Sequence, residues 1–341
     1  MTRLVQVSNG HSRRVAVVEE PYLRCLREVQ SVYELALRCL RNGRKLGEDI
    51  STLALGKMLD YNDVYNGATE WHLLAPIDVP GAPSRLTISG TGLTHLGSAK
   101  DRQTMHAAGA KKAEETAEAI TDSMRMFRSG VEGGRPQIGE IGIAPEWFYK
   151  GSGLALRGPF EPLPVPAYAE DGGEEAEIAG IYIVADDGVP YRIGMAAGNE
   201  FSDHLFERRN YLNLAGSKLR ACSVGPEIAI DAEFHAVMGE VRILRGSQTV
   251  WSKDIETGEE NMCHSLANIE HHHFKFEGHR QAGDVHVHFY GAHSLSFGSN
   301  IALQDGDWME VRFDGFGRAL RNPLHIEPKE TNHLVRVRSL A

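Results

Sequence analysis

Apolar and polar positions alternate over the first twenty residues. Leu4, Val5 and Val7, then Val15, Ala16, Val17 and Val18, stand on either side of Ser8-Asn9-Gly10. A period near two around a turn-forming triplet predicts a hairpin. Over residues 22–43 the apolar positions change to helical spacing: Leu23, Leu26, Val29, Val32, Leu35, Ala36 and Cys39, with Gly43 after them. This predicts a helix closed by a glycine, and residues 47–59 read as a second. The breakers Asp78-Val79-Pro80-Gly81-Ala82-Pro83 mark a boundary between a small N-terminal α/β domain, 1–83, and a large domain, 84–341. Residues 104–128 carry Ala107, Ala113, Ala117, Ile120 and Met124 at helical spacing. From about Ile141 the pattern becomes short apolar runs between Gly, Pro and Asp turns, at 176–184, 228–244, 284–290 and 308–313. Many short strands in a large unit predict an α+β chain whose large domain is a rolled, barrel-like mixed sheet, not a βαβ array.

Length and charge narrow the classes. The chain has 341 residues, 42% hydrophobic and 24% charged, with a net charge of −10. An acidic chain without a basic block disfavours nucleic acid or an anionic membrane as partner. No apolar run is long enough to span a bilayer, and the first fifteen residues have no apolar leader core. Cys25, Cys39, Cys222 and Cys263 are scattered, which suits reduced, buried thiols in a cytoplasmic protein.

The chemistry concentrates in Glu174-Glu175-Ala176-Glu177, which opens an apolar run ending at Val184. On a strand, Glu175 and Glu177 point to the same side. Asp186-Asp187-Gly188 supplies a turn, and the returning run ends at Gly198-Asn199-Glu200. A hairpin therefore brings Glu200 beside Glu175 and Glu177. Three carboxylates that close repel unless a cation sits among them, and an all-oxygen set suits Mg²⁺ or Mn²⁺. Alone, an E-x-E pair is more often a solvated sheet edge; the residues that follow it shift the balance.

Those residues form an ordered set: Pro145-Glu146-Trp147-Phe148-Tyr149-Lys150, then Glu175-Ala176-Glu177, Asn199-Glu200-Phe201-Ser202-Asp203-His204, Lys218 and Gly225-Pro226. Near the end come Gly306-Asp307-Trp308-Met309-Glu310-Val311 and Gly317-Arg318-Ala319-Leu320-Arg321-Asn322-Pro323. The set resembles the fumarylacetoacetate hydrolase superfamily over residues 85–325. The resemblance implies a fold of that type and metal ligands at Glu175, Glu177 and Glu200, the last a glutamate where the family usually has aspartate. It also implies a homodimer or higher homo-oligomer.

Two departures matter. Hydrolytic members carry a His and a Glu that activate water. The matching stretch here runs Gly92-Leu93-Thr94-His95-Leu96-Gly97-Ser98-Ala99-Lys100-Asp101, with Ser98 at the His position and Asp101 at the Glu position. A serine alone is no base at neutral pH. The family's Gly-Thr near the C-terminal strands becomes Gly291-Ala292, so Ala292 brings no hydroxyl to a substrate carboxylate; Ser294 or Ser296 could replace it. Both departures resemble the sugar-acid dehydratase branch, which removes water from 2-keto-3-deoxy aldonates.

The resemblance implies a metal-polarised 2-oxo acid whose C3 proton is removed and whose C4 hydroxyl leaves. Lys218 is the first candidate for proton transfer or enolate stabilisation, with a pKa expected to fall. Glu146 and Asp101 are further acid/base candidates. Lys150, Thr94, Ser98, Ser202 and Ala292 are assigned to the substrate side, and His95 and His106 to a covering segment. Two other readings stay open: a hydrolase or decarboxylase of an acylpyruvate-like acid, and a sugar-acid-binding protein without catalysis. His264, His271, His272, His273, His279, His286, His288 and His293 crowd the later chain. A second, imidazole-held metal is the lesser reading there; hydrogen-bonded histidines lining the sheet or a subunit contact is the better one. No dinucleotide loop or G-x-S-x-G elbow is present.

Overall fold

The computed structural model describes residues 1–110 and 121–340, with side chains outside 105–110. Most strands join one thirteen-stranded sheet. Its main path runs from Leu55–Asp60 through Tyr22–Leu26, Arg13–Glu19, Arg3–Ser8, Ile228–Ala229, Pro190–Asn199, Ala176–Val184, Val285–Phe289 and Leu86–Gly92 to Glu146–Ser152. A second sheet has five strands, in the order Gln248–Thr257, Val237–Arg245, Trp308–Phe313, Leu320–Ile326, Leu163–Val165. Pairing is mixed. Val285–Phe289 runs parallel to Leu86–Gly92 and antiparallel to Ala176–Val184. The α+β class with a rolled mixed sheet is as expected, and neither sheet closes on itself. The boundary foreseen near residue 83 lies just before Leu86–Gly92, and the large sheet runs across it, because Arg3–Ser8 pairs with Ile228–Ala229.

Apolar side chains pack on both faces of the large sheet. Ala179, Ile181 and Ile183 share a cluster with Val32, Leu35, Ala36 and Cys39 of the helix Val32–Asn42. Ala176, Ile178, Met195 and Ala197 pack instead with Val241, Ile255, Val311 and Phe313 of the second sheet. Burying one such side chain contributes roughly 1.5–3 kcal/mol, so the strand Ala176–Val184, buried at every position, is a rigid floor for what its first residues carry.

Three early expectations shift. Residues 22–43 divide into the strand Tyr22–Leu26 and the helix Val32–Asn42. Leu23 and Cys25 also stand two apart, which suits a strand, and the pairing of Tyr22–Leu26 with Arg13–Glu19 decides. The helix then starts where Ser31 accepts from the Glu34 amide, an N-cap that a longer helix would have lost. Residues 47–59 likewise become a short helix, Leu46–Thr52, and a strand, Leu55–Asp60. The apolar run 228–244 is two strands, Ile228–Ala229 and Val237–Arg245, in different sheets. The helical stretch foreseen at 104–128 appears as Leu96–Ala110 and Asp122–Gly133; the residues between, and the His106 side chain, lie outside the described residues. All four cysteines are free and buried.

Candidate active site

The hairpin performs as its spacing requires. Gly188 takes φ +82°, its amide reaches Ala185 O at 2.9 Å, and the strands pair with Ala176 opposite Asn199 and Glu177 opposite Gly198. One residue further, the Glu200 amide donates to Glu175 O at 2.9 Å. The register thus places Glu200 across from Glu175. Carboxylate oxygens of Glu175, Glu177 and Glu200 lie within 4.8 Å of one another, and all three residues are buried.

Two buried ammonium groups reach this cluster. The strand Glu146–Ser152 buries alternate residues, Glu146, Phe148 and Lys150. Lys150 Nζ lies 2.5 Å from Glu200 Oε1 and donates to Phe201 O at 2.6 Å and Lys218 O at 3.0 Å. Lys150 therefore holds Glu200 by charge and the turn behind it by two hydrogen bonds. Lys218 closes the helix Leu214–Lys218. Its Nζ lies 2.5 Å from Glu175 Oε1, contacts Glu200 Oε2, and stands 4.7 Å from the Phe148 ring centre.

The electrostatics follow from burial and pairing. Burial opposes the charged form of Glu175, but Lys218, His204 and Arg102 outweigh it and hold its carboxyl well below the usual range. Glu177 behaves oppositely: burial, then the charges of Glu200 and Glu175, push it well above that range. Glu200 is raised by burial and Glu175 against the pull of Lys150 and Lys218. The expectation for Lys218 is reversed. Burial alone would lower its pKa, but Glu175 and Glu200 raise it above the ordinary lysine value.

Glu177 is the carboxyl of the three that neither ammonium reaches, and without a cation it is held toward its protonated form. It accepts the Gly291 amide at 2.7 Å and has no ion pair among the described residues. An all-oxygen set whose third carboxyl has no ammonium partner fits a hard divalent cation that would displace that proton. Glu175, Glu177 and Glu200 are the residues that could hold it.

The remaining candidates divide. Ser202 donates to Glu200 Oε2 at 3.0 Å, so it orients a ligand carboxylate and does not wait for substrate. Glu146 is buried, with Arg102 Nη1 at 2.7 Å from one oxygen and the Tyr211 hydroxyl at 2.7 Å from the other. Thr94 donates to Tyr290 O at 2.8 Å and packs on Gly291. A Cβ on that glycine, at φ +100°, would meet Thr94 Oγ1 at 2.0 Å. Thr94 thus braces the turn whose amide binds Glu177. Ser98 Oγ turns back to His95 O at 3.1 Å. Asp101 is raised by burial and faces the Leu295 amide, with no contact to the three carboxylates. Ala292 is buried beside Gly291. Ser296, considered as a replacement hydroxyl, is committed to Glu174: its Oγ donates at 2.6 Å and its amide at 2.7 Å. His95 is buried, and burial, then His293, bring it down to about 3; it pairs with Thr94 and Thr257 hydroxyls at 2.8 and 3.1 Å.

Three residues went without a role in the sequence reading. His204 Nε2 lies 3.1 Å from Glu175 Oε1; it stood inside the Asn199–His204 motif, where its type was a usable signal. Arg102 and Glu207, paired at 3.2 Å and buried, belong to no motif, and only the tertiary structure brings them together. The histidine-rich stretch forms a separate hydrogen-bonded patch. His288 pairs with Ser89 and Thr91 hydroxyls, both at 2.8 Å, and His273 Nε2 lies 3.0 Å from His286 Nδ1. Among the described residues the three glutamates are the one group placed to hold a metal.

No protein-family model matches the sequence, and no curated protein matches it. Solved structures do. An apo 2-keto-3-deoxy-D-arabinonate dehydratase superposes with a TM-score of 0.70 at 15% identity, over 96% of this chain and 100% of that one. A structure of 2-keto-3-deoxy-D-arabinonate dehydratase complexed with magnesium and 2,5-dioxopentanoate gives 0.70 at 16% identity, over 96% and 100%. A fumarylacetoacetate hydrolase from Exiguobacterium antarcticum gives 0.58 at 18%, again over 96% and 100%. The chain has the fold these structures share. No helix among the described residues is long and apolar enough to cross a membrane.

Proposed function

We infer that the chain belongs to the fumarylacetoacetate hydrolase superfamily, on its sugar-acid dehydratase branch, and propose that it dehydrates a 2-keto-3-deoxy sugar acid. The substrate proposed is a pentonate, and the product is the 2-oxoglutarate semialdehyde together with one water. The observation that carries this reading is the buried Glu175–Glu177–Glu200 cluster, whose carboxylate oxygens lie within 4.8 Å of one another. The cation proposed is Mg²⁺, with Mn²⁺ as a substitute. When bound it supplies electrophilic polarisation of a 2-oxo acid, which acidifies the protons at C3.

The chain's own residues supply the rest. Lys218, held protonated by Glu175 and Glu200, places a fixed positive charge where enolate charge grows. Lys150 and Ser202 hold Glu200 in place. Glu146 is the group proposed to move the proton: its carboxylate is fixed at both oxygens, by Arg102 and the Tyr211 hydroxyl. Loss of a C3 proton and of the C4 hydroxyl as water leaves a C3=C4 enone; transfer of one C5–H proton to C3 and of the C5 hydroxyl proton to C4 then gives the C5 aldehyde and completes the balance. Ser98 and Asp101 offer no water-activating pair: Ser98 is bonded to a backbone carbonyl, and Asp101 stands away from the carboxylates. This favours dehydration over hydrolysis. A homodimer in the cytoplasm is part of the same proposal.

The test is a coupled assay. The purified protein, Mg²⁺ and a 2-keto-3-deoxypentonate are incubated, and product is followed with an aldehyde dehydrogenase. Turnover that vanishes with chelator is expected. No turnover with that panel, alongside cleavage of acylpyruvates, would transfer the site to a hydrolase.

A further inference from the structure

Arg102 is a charged residue on the helix Leu96–Ala110, yet it is only 5% exposed. A buried guanidinium without partners would be prohibitively costly. Its Nη1 lies 2.7 Å from Glu146 Oε1, and its Nε lies 3.2 Å from Glu207 Oε1. Those carboxylates belong to two other elements, the strand Glu146–Ser152 and the helix His204–Arg209. Burial works against the charge on Arg102, but Glu146, Glu207 and Glu175 more than restore it. The fold makes room for this bridge. Gly92 pairs with Glu146 across the sheet, and a Cβ there would meet Glu146 Oε1 at 1.9 Å and Arg102 Nη1 at 3.5 Å.

On the same helix, Ser98 bonds back to His95 O and Asp101 faces Leu295. Among the described side chains, Arg102 is therefore the residue by which this helix reaches the acid/base candidate. We propose that Arg102 is a positioning residue that latches the helix Leu96–Ala110 onto Glu146 and Glu207 and thereby fixes the Glu146 carboxylate for proton transfer. The catalytic half of this rests on the dehydratase reading; the latch does not. The guanidinium grips one Glu146 oxygen and leaves the other to Tyr211, so the carboxylate cannot rotate freely. Glu207 anchors the far side of the guanidinium and stops it swinging away with the helix.

The test uses R102Q, R102K and E207Q in the full chain, with two readouts. Amide exchange over residues 99–104 should quicken on the order of 10-fold or more in R102Q and E207Q, and less in R102K, since a lost anchor lowers the local opening free energy. In the dehydration assay kcat should fall about 100-fold in R102Q, the low end for a displaced acid/base group, with KM and Mg²⁺ affinity within about threefold. R102K should regain part of kcat. Unchanged exchange in R102Q and E207Q would overturn the latch. A kcat within about threefold of the parent protein, or a loss confined to KM, would overturn the positioning role. If R102Q does not fold, R102K and E207Q carry both readouts. No turnover in the unsubstituted protein would sink the dehydratase reading, while the exchange result still decides the latch.

Discussion

Beside the start of the strand Ala176–Val184, charged partners hold the buried Glu175 ionised, while on the adjacent strand, Val285–Phe289, burial leaves imidazoles neutral. In the first region, Lys218 and His204 grip Glu175, and Lys150 and Lys218 grip Glu200. In the second, His286 and His288 are each pushed down to about 3, by burial first and then by neighbouring histidines. The His288 ring sits between two hydroxyls, which serve a neutral ring equally well as donor and acceptor. A desolvated group either finds an opposite charge or gives its own up. The carboxylate region keeps charge that a cation can use. The histidine patch has none to offer, and works as a sheet-lining network.

Glu200→Gln breaks this contrast most sharply. Removing one ligand charge should lower Mg²⁺-dependent turnover by on the order of 10³, the scale of a lost electrostatic contribution, beyond any loss of folded protein, which circular dichroism at the assay temperature measures separately. Retained turnover would remove Glu200 from the ligand set. Lys218→Met comes next. It strands Glu175 and Glu200 without their shared ammonium, and breaking such a buried pair costs about 3–5 kcal/mol. Urea unfolding should show that loss in chelator, and saturating Mg²⁺ should return part of it through binding to the folded state. A loss of equal size with and without Mg²⁺ would separate the cluster from any cation.

The histidine patch is tested by pH. His95, His286 and His288 take up protons in the unfolded chain below about 6.5, but in the folded protein only near 3. Between those values the unfolded state binds more protons, so stability is fully present above pH 6.5 and declines as pH falls toward 3. Each such histidine contributes a slope of roughly 1.4 kcal/mol per pH unit. Denaturant midpoints from pH 7 to 5 should fall, and His288→Gln should flatten the fall. An unchanged slope in that variant would mean that His288 is not held neutral. The smallest effect is Ser202→Ala. One hydrogen bond to Glu200 Oε2 disappears, worth about 1 kcal/mol, and Mg²⁺ affinity measured by calorimetry should weaken about 10-fold.

Much of the carboxylate region was legible because its information is local. Glu175 and Glu177 share a side by strand period, Asp187-Gly188 closes the hairpin, and Glu200 returns opposite Glu175 by counting. That Glu146 and Lys150 share a buried face of one strand came only with the structure. The division of 22–43 into strand and helix was not legible, since its spacing suited both and only the partner strand chose between them. Nor was it legible that Lys150, Ser202 and Thr94, assigned to the substrate side, each bond protein acceptors. Each hydroxyl or ammonium looked free for substrate until its acceptors came into view.

The residue string by itself thus determined which carboxylates meet, because alternation and turn chemistry act over a few neighbouring positions. Only the tertiary structure decided what answers their charge. Lys218 meets a glutamate 43 positions earlier, and Arg102 meets one 44 positions later. Contacts at that separation depend on how strands and helices stack, and no local pattern along the chain encodes them.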